Sequence, residues 1–173
     1  MSKSSITKTL EYLLRHKFDT RNDFFCFECT IGWYGKEIVD CVVYNTSREI
    51  TCYEIKSSEQ DFHSNASWSF FGNKNYFVMP ADVYEKVKNE IPKDIGVYVA
   101  IDRIETETKV TATSYGTRMQ HLSNLIPGFN ELYCIKRCNK RELRADKEII
   151  LSSMVRTLQY QRLHNKEYGI TKE

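Results

Sequence analysis

Three charged side chains interrupt two apolar runs that lie close together in the sequence. Asp40 lies within IVDCVVY, and Glu54 and Lys56 lie near the end of ITCYEIK. Burying a charged group is costly unless it is paired or binds an ion. The segment from Glu37 to Ser58 therefore restricts the chain to folds in which these charges have partners.

Sequence periodicity predicts a helix, three strands, a helix and a further strand around this segment. Apolar residues on one helical face indicate the helices, and short aromatic or β-branched runs indicate the strands. The predicted helices cover residues 5–17, 57–70, 82–90 and 146–164. The predicted strands cover residues 24–31, 37–44, 50–56, 76–79 and 96–101, with an exposed edge strand over 103–113.

The connections between these elements indicate the topology of the sheet. Short turns join the first three strands, which favours an antiparallel meander. The helix after the third strand is a crossover, and a crossover returns the chain to the sheet as a parallel strand. We therefore expect an α/β fold with a mixed central sheet, helices on both faces and a C-terminal helical extension.

Strand alternation brings the three charged residues toward one place. Glu54 and Lys56 are two residues apart and so point to the same face, and a turn near residues 45–48 would pair Asp40 with Tyr53 or Glu54. Opposed carboxylates are tolerable with a cation between them, and oxygen ligands suit Mg²⁺ or Mn²⁺. The Ile55 carbonyl would add an oxygen. Lys56 would orient or deprotonate a water, or stabilise developing negative charge.

The alternative is a salt bridge from Lys56 to Asp40 or Glu54 on a solvated sheet face. The context favours the metal site. The three residues fall in the second and third strands of a helix-β-β-β-helix-β order, which is a restricted arrangement.

These motifs resemble those of the PD-(D/E)xK nuclease superfamily. Val39-Asp40 followed by Glu54-Ile55-Lys56 matches its signature, with Val39 in place of the proline, and residues 4–101 match its restriction-endonuclease-like αβββαβ core. The stretches EIKSSEQDF, NYFVMP and IPKDIGVYVAI are most similar to the MmcB-like DNA-repair nucleases. The chain departs from those relatives after DF, where Asn65 and Ser67 replace an Asp and a Lys, and this affects the expected substrate preference.

The resemblance implies metal-dependent hydrolysis of phosphodiester bonds. By it, Asp40 and Glu54 are metal ligands, Lys56 is the catalytic lysine, and Glu28 binds the metal directly or through water. Glu11 is the candidate for a further acid on the first helix. The alternative for Glu11 is the polar face of that helix.

Four residues next to the motif are additional candidates. Ser57, Ser58 and the start of the following helix could contact a phosphate, and His63 could contact a phosphate or water. The alternative for Ser57, Ser58 and Asp61 is capping of that helix, where the charge of Asp61 suits the helix dipole.

The C-terminal part of the chain is rich in basic residues. In a nuclease such a run would follow a DNA backbone, although charge runs are more often solvated faces. The candidate nucleic-acid-binding residues are Lys74, Lys136, Arg137, Lys140, Arg141 and Arg144. Trp33 and Tyr115 are candidates for stacking on a base. We divide the chain into a nuclease-like core over 1–113 and a basic, mainly helical extension over 114–173 that packs on it.

Composition limits location and partners. The net charge of +2 is too small to imply a nucleic-acid partner by itself. The sequence shows neither a membrane-spanning run nor a signal peptide, so we expect a cytoplasmic protein with reduced cysteines. Cys26-Cys29 and Cys134-Cys138 have the close spacing of zinc ligands, but a spacing of three in a strand predicts that Cys26 and Cys29 face opposite ways.

The sequence thus predicts a Mg²⁺-dependent (or Mn²⁺-dependent) deoxyribonuclease that acts in DNA repair or processing. Two alternatives stay open. One is a catalytically silent module that binds nucleic acid through the same fold, and the other is a protein-interaction or regulatory domain. The oligomeric state is also open, with a homodimer among the alternatives.

Overall fold

A computed structural model of the chain describes residues 3–18, 20–32, 34–64, 68–101 and 129–164. Its helices are α1 (Ser5–Phe18), α2 (Glu59–Phe62), α3 (Ala81–Val87) and α4 (Lys147–His164). Its strands are β1 (Asp23–Thr30), β2 (Ile38–Asn45), β3 (Ile50–Ile55), β4 (Lys74–Pro80), β5 (Gly96–Ile101) and β6 (Glu131–Lys136). The predicted edge strand over 103–113, Trp33 and Tyr115 lie outside these ranges, and so does the predicted domain boundary at 113.

The six strands of the described ranges form one sheet in the order of the chain. The meander β1–β2–β3 is antiparallel, β3, β4 and β5 are parallel, and β6 runs antiparallel to β5. The parallel return after β3 follows from the crossover that contains α2. The predicted αβββαβ order and the mixed sheet are confirmed, and the overall class is α/β.

Helices cover both faces of the sheet. Leu10 and Leu14 of α1 pack on one face with Tyr53 and Ile55. On the other face, α2, α3 and α4 contribute to a larger core that includes Phe77. Because every residue of β3 is buried, any charged group on this strand lies in a region of low dielectric.

One prediction about secondary structure is wrong, and one strand was not predicted. The crossover helix was expected to continue to residue 70 but ends at Phe62 after four residues. Beyond it, Trp68 and Phe70 both lie against the ring of Phe77. An extended segment allows these two contacts, and a helix that continued to residue 70 would not require them. Strand β6 was not predicted, although its LYCI sequence has the aromatic and β-branched character of a strand.

The C-terminal segment is attached to the core at β1 as well as at β5. Arg156 of α4 donates hydrogen bonds of 2.8 Å to the carbonyl oxygens of Thr30 and Gly32. Gln161 donates one to the carbonyl oxygen of Phe27, also at 2.8 Å. These bonds satisfy backbone groups at the edge of the sheet. No helix in the described part of the chain is long and apolar enough to cross a membrane.

We expect the substitution Gly96→Ala to destabilise the fold. A Cβ atom at this position would lie 2.3 Å from the Tyr76 ring and 2.7 Å from the Cys138 nitrogen. The ring cannot move away easily, because it lies between Tyr53 and Tyr98 with centroid distances of 5.6 and 5.0 Å. The expected loss in free energy of unfolding is about 1–3 kcal/mol in urea denaturation. A variant as stable as the wild type would contradict the packing of Tyr76 over β5.

Candidate functional site

A hydrogen bond between neighbouring strands positions the first of the candidate acids. The backbone N–H of Ile55 donates to Oδ2 of Asp40 at 2.7 Å. Cys41 pairs with Tyr53, and Asp40 and Glu54 are the residues next to this pair on β2 and β3. The structure therefore brings together the acids that the sequence pattern pointed to.

Glu54 and Lys56 are buried on the same side of the sheet. Their relative exposures are 4% and 5%. Glu54 accepts a hydrogen bond of 3.2 Å from the N–H of Ser69, a contact that no local sequence pattern predicts. Within the described ranges, the ammonium group of Lys56 forms neither a hydrogen bond nor an ion pair. The alternative was a salt bridge from Lys56 on a solvated face of the sheet. It is wrong because Lys56 is buried and because it forms no ion pair within the described ranges.

The burial of these groups has a clear electrostatic consequence. Burial, followed by the nearby charge of Asp40, raises the pKa of Glu54 to about 8, against the opposing effect of Lys56. Burial also raises the pKa of Asp40, with a contribution from the charge of Asp61. The Ile55 N–H, Lys56 and Lys3 act in the opposite direction on Asp40. A cation placed here would favour the ionised form of both acids.

The donor set suits a magnesium ion better than a zinc ion. No group of three or more His, Cys, Asp or Glu side chains in the described residues is arranged to hold a metal. Mg²⁺ commonly binds through one or two carboxylates and completes its coordination with water and phosphate oxygens. Asp40 and Glu54 would be the two carboxylates that hold such an ion. Ligation by the Ile55 carbonyl stays a prediction.

The other two candidate acids make a different contact. The ammonium of Lys3 forms ion pairs of 2.5 Å with both Glu11 and Glu28. Glu28 is 55% exposed, and its φ of 51° lies in the left-handed region, which is uncommon for a residue other than glycine. Lys3 was not among the predicted site residues, because nothing in a lysine before a helix indicates contacts across the fold.

The conformation of Glu28 also corrects the prediction for the flanking cysteines. Because Glu28 interrupts the regular alternation of β1, Cys26 and Cys29 lie in the same core cluster rather than on opposite faces. The interaction between their thiols raises the pKa of Cys26 and lowers that of Cys29. All six cysteines are free thiols.

The residues that follow Lys56 cap the short helix α2. Ser58 accepts a hydrogen bond from the N–H of Asp61 at 3.1 Å. Asp61 in turn accepts bonds from the N–H and hydroxyl of Ser57, at 2.8 and 3.1 Å. The capping alternative is therefore confirmed for Ser58, and Asp61 also acts electrostatically on Asp40 and Glu54. His63 instead pairs with Glu90, at 2.8 Å.

Two of the predicted nucleic-acid-binding lysines contact one acid of the core. Lys74 and Lys140 both form ion pairs of 2.6 Å with Glu49. Hydrogen bonds from Lys140 and then from Lys74 lower the pKa of Glu49 to about 2. Lys140 thus connects the C-terminal segment, and Lys74 the start of β4, to the hairpin between β2 and β3.

Three further basic residues of the run also make internal contacts. Arg141 donates to the carbonyl oxygen of Phe70 at 2.6 Å and approaches Asp94 at 3.3 Å. Arg144 pairs with Glu37 at 2.9 Å, and Lys136 donates to the carbonyl oxygen of Pro92 at 2.7 Å. Arg137 is exposed. Most of the run therefore holds the C-terminal segment on the core.

Comparison with known proteins shows the fold alone. No family model and no curated protein matches the chain. A protein of unknown function from Silicibacter pomeroyi has a similar solved structure, with a TM-score of 0.62 and 14% identity over 99% of this chain and 100% of that one. At this identity the likeness is evidence for the shared α/β architecture.

We expect the metal-free protein to lose stability as the pH rises from about 4.5 to about 8. Over this range Glu54 is ionised in the unfolded chain but retains its proton in the folded one. Each pH unit therefore lowers the free energy of unfolding by up to about 1.4 kcal/mol. Urea denaturation in EDTA across this range measures the effect. The variant Glu54→Gln is the control. If the free energy of unfolding changed with pH in the same way for both proteins, the result would contradict the raised pKa of Glu54.

We expect different effects from two neighbouring arginines. Arg141→Ala removes hydrogen bonds to the core and should cost about 1–3 kcal/mol of stability. Arg137→Ala removes an exposed side chain and should change stability by less than about 0.5 kcal/mol. Urea denaturation of both variants makes the comparison. Equal losses would show that the run does not hold the C-terminal segment through Arg141.

Proposed function

We propose that this protein is a Mg²⁺-dependent (or Mn²⁺-dependent) deoxyribonuclease of the PD-(D/E)xK type, most like the MmcB-like DNA-repair nucleases. One observation carries the proposal. Two adjacent carboxylates and an unpaired lysine are buried together at the point where β2 meets β3. An arrangement that served stability alone would pair the lysine with a carboxylate, since two adjacent buried carboxylates are costly without a cation.

The proposed roles follow from the contacts of each residue. Asp40, held by the Ile55 N–H, and Glu54, held by the Ser69 N–H, would bind the ion. The bound ion would act as a Lewis acid toward a phosphate oxygen and lower the pKa of a water ligand. Lys56 would stabilise the negative charge that develops on the phosphate, because its ammonium is not committed to a neighbouring carboxylate. Asp61 would add negative charge near the pair.

The choice of DNA as substrate rests on the sequence resemblance. The stretch EIKSSEQDF and the strand motif NYFVMP carry it. The basic run supports this choice less than the sequence suggested, since most of its side chains contact the core. Arg137 is the member of the run that we retain as a candidate for contact with the phosphate backbone.

We expect the wild type to cleave DNA in Mg²⁺ or Mn²⁺ and to be inactive in EDTA. Asp40→Asn, Glu54→Gln and Lys56→Met should each lower the rate by at least about 100-fold, because each removes a charge from the site. Asparagine is preferred to alanine at position 40, because its side-chain oxygen can still accept from the Ile55 N–H. Plasmid, linear duplex and single-stranded DNA are the substrates.

Glu85→Gln is the matched control, since Glu85 pairs with Lys88 on the exposed side of α3. Circular dichroism establishes that each variant is folded. A folded wild type that cleaves none of these substrates in either metal would contradict the proposal. DNA binding that is indifferent to Asp40→Asn would then favour the catalytically silent module.

A further inference from the structure

Lys56 lies in the short junction between β3 and α2, outside both elements. Its ammonium group has no hydrogen bond or ion pair among the described residues, so side-chain contacts do not fix its direction. The backbone on either side of Lys56 has to do so. On one side, the N–H of Lys56 itself donates to the carbonyl oxygen of Val78 on β4 at 2.9 Å.

Asp61 holds the backbone on the other side of Lys56. Its Oδ2 accepts hydrogen bonds from both the N–H and the hydroxyl of Ser57, at 2.8 and 3.1 Å. Ser57 precedes Ser58, which is the N-cap of α2. An acid in this part of a capping box would bond the N–H of the cap residue itself. The side chain of Asp61 instead reaches past the cap and holds the residue that follows Lys56.

By charge alone, Asp61 is unfavourable at this place. Burial is the largest cause of the raised pKa of Asp40 and of Glu54, and the charge of Asp61 adds to it in both. A third acid close to two buried ones therefore costs free energy. Within the described ranges, Ser57 is the hydrogen-bond partner of this carboxylate. The contact with Ser57 is thus what the chain gains from an acid at position 61.

We propose that Asp61 is a positioning residue for Lys56: through Ser57, its carboxylate oxygen fixes the backbone that directs the lysine ammonium toward the reacting phosphate. The role of the ammonium rests on the proposed function, whereas the bonds that hold the junction do not. An ammonium without a side-chain partner depends on its backbone for its position, and a displacement of about 1 Å can cost about 100-fold in rate. Lys56 therefore requires the acceptor oxygen of Asp61 rather than its charge.

Two substitutions separate the hydrogen bonds of Asp61 from its charge. Asp61→Asn keeps an oxygen that can accept from Ser57 and loses the charge, whereas Asp61→Ala loses both. At saturating Mg²⁺, we expect Asp61→Ala to lower kcat for DNA cleavage at least about tenfold and to change KM less than about twofold. Asp61→Asn should keep kcat within about threefold of the wild type. Glu59→Ala is the matched control, since Glu59 is an acid of the same helix that pairs with Lys86 at 3.6 Å.

An NMR measurement in EDTA tests the same contact without DNA or metal. In protein with ¹³C-labelled lysine, the two ε-methylene protons of Lys56 should have different chemical shifts, because a side chain held in one direction places them in different surroundings. Lys56→Met assigns the signal. Asp61→Ala should merge the two shifts, and Asp61→Asn should preserve the difference. Ser57→Ala, which removes the hydroxyl bond alone, should give a smaller change in the same direction and serves if Asp61→Ala does not fold.

The outcomes distinguish this inference from the proposed function. Circular dichroism establishes that each variant is folded. A folded Asp61→Ala with the kcat and the Lys56 signal of the wild type would overturn the inference and leave the nuclease standing. The same holds if Asp61→Asn behaves like Asp61→Ala, because the charge would then be what matters. A wild type that cleaves no DNA, but whose Lys56 signal responds to Asp61→Ala and not to Asp61→Asn, would overturn the proposed function and leave the positioning contact in place.

Discussion

The hydrogen bond from the Ile55 N–H to Asp40 is the contact on which the candidate site depends. It joins β2 to β3 where β3 is buried on both faces, and so it places a carboxylate beside Glu54 in a region of low dielectric. Two acids in such a place cannot both ionise cheaply without a cation. Lys56 supplies one positive charge nearby but forms no ion pair within the described ranges. The site is therefore short of positive charge, and this deficit is the physical basis of the proposed metal binding.

The C-terminal segment supports the same site from a distance. Arg141 donates to the carbonyl oxygen of Phe70, and the backbone N–H of Arg144 donates to that of Phe71 at 3.2 Å. Phe70 and Phe71 follow Ser69, whose N–H donates a hydrogen bond to Glu54. The basic run is thus connected to the acidic pair through one extended segment.

Local patterns in the sequence were sufficient for the meander and for the three central charges. The alternation of apolar residues predicted β1, β2 and β3 to within two residues, and the short turn predicted Asp40 opposite Tyr53 or Glu54. Contacts between distant parts of the chain were not predictable in this way. The ion pairs of Lys3, the bond from Ser69 and the attachment of Arg141 join residues far apart in sequence. The shared face of Cys26 and Cys29 depends on a single left-handed residue, Glu28, which no periodicity reveals.

The most direct test of this account is the titration of the Glu54 carboxyl by NMR, with ¹³C-labelled glutamate and Glu54→Gln to assign the signal. The account requires a pKa near 8 in EDTA and a marked fall in saturating Mg²⁺, because the ion stabilises the carboxylate that binds it. A pKa near the ordinary value of 4.5 in EDTA, or one that Mg²⁺ leaves unchanged, would contradict the claim that burial of these acids creates a cation site.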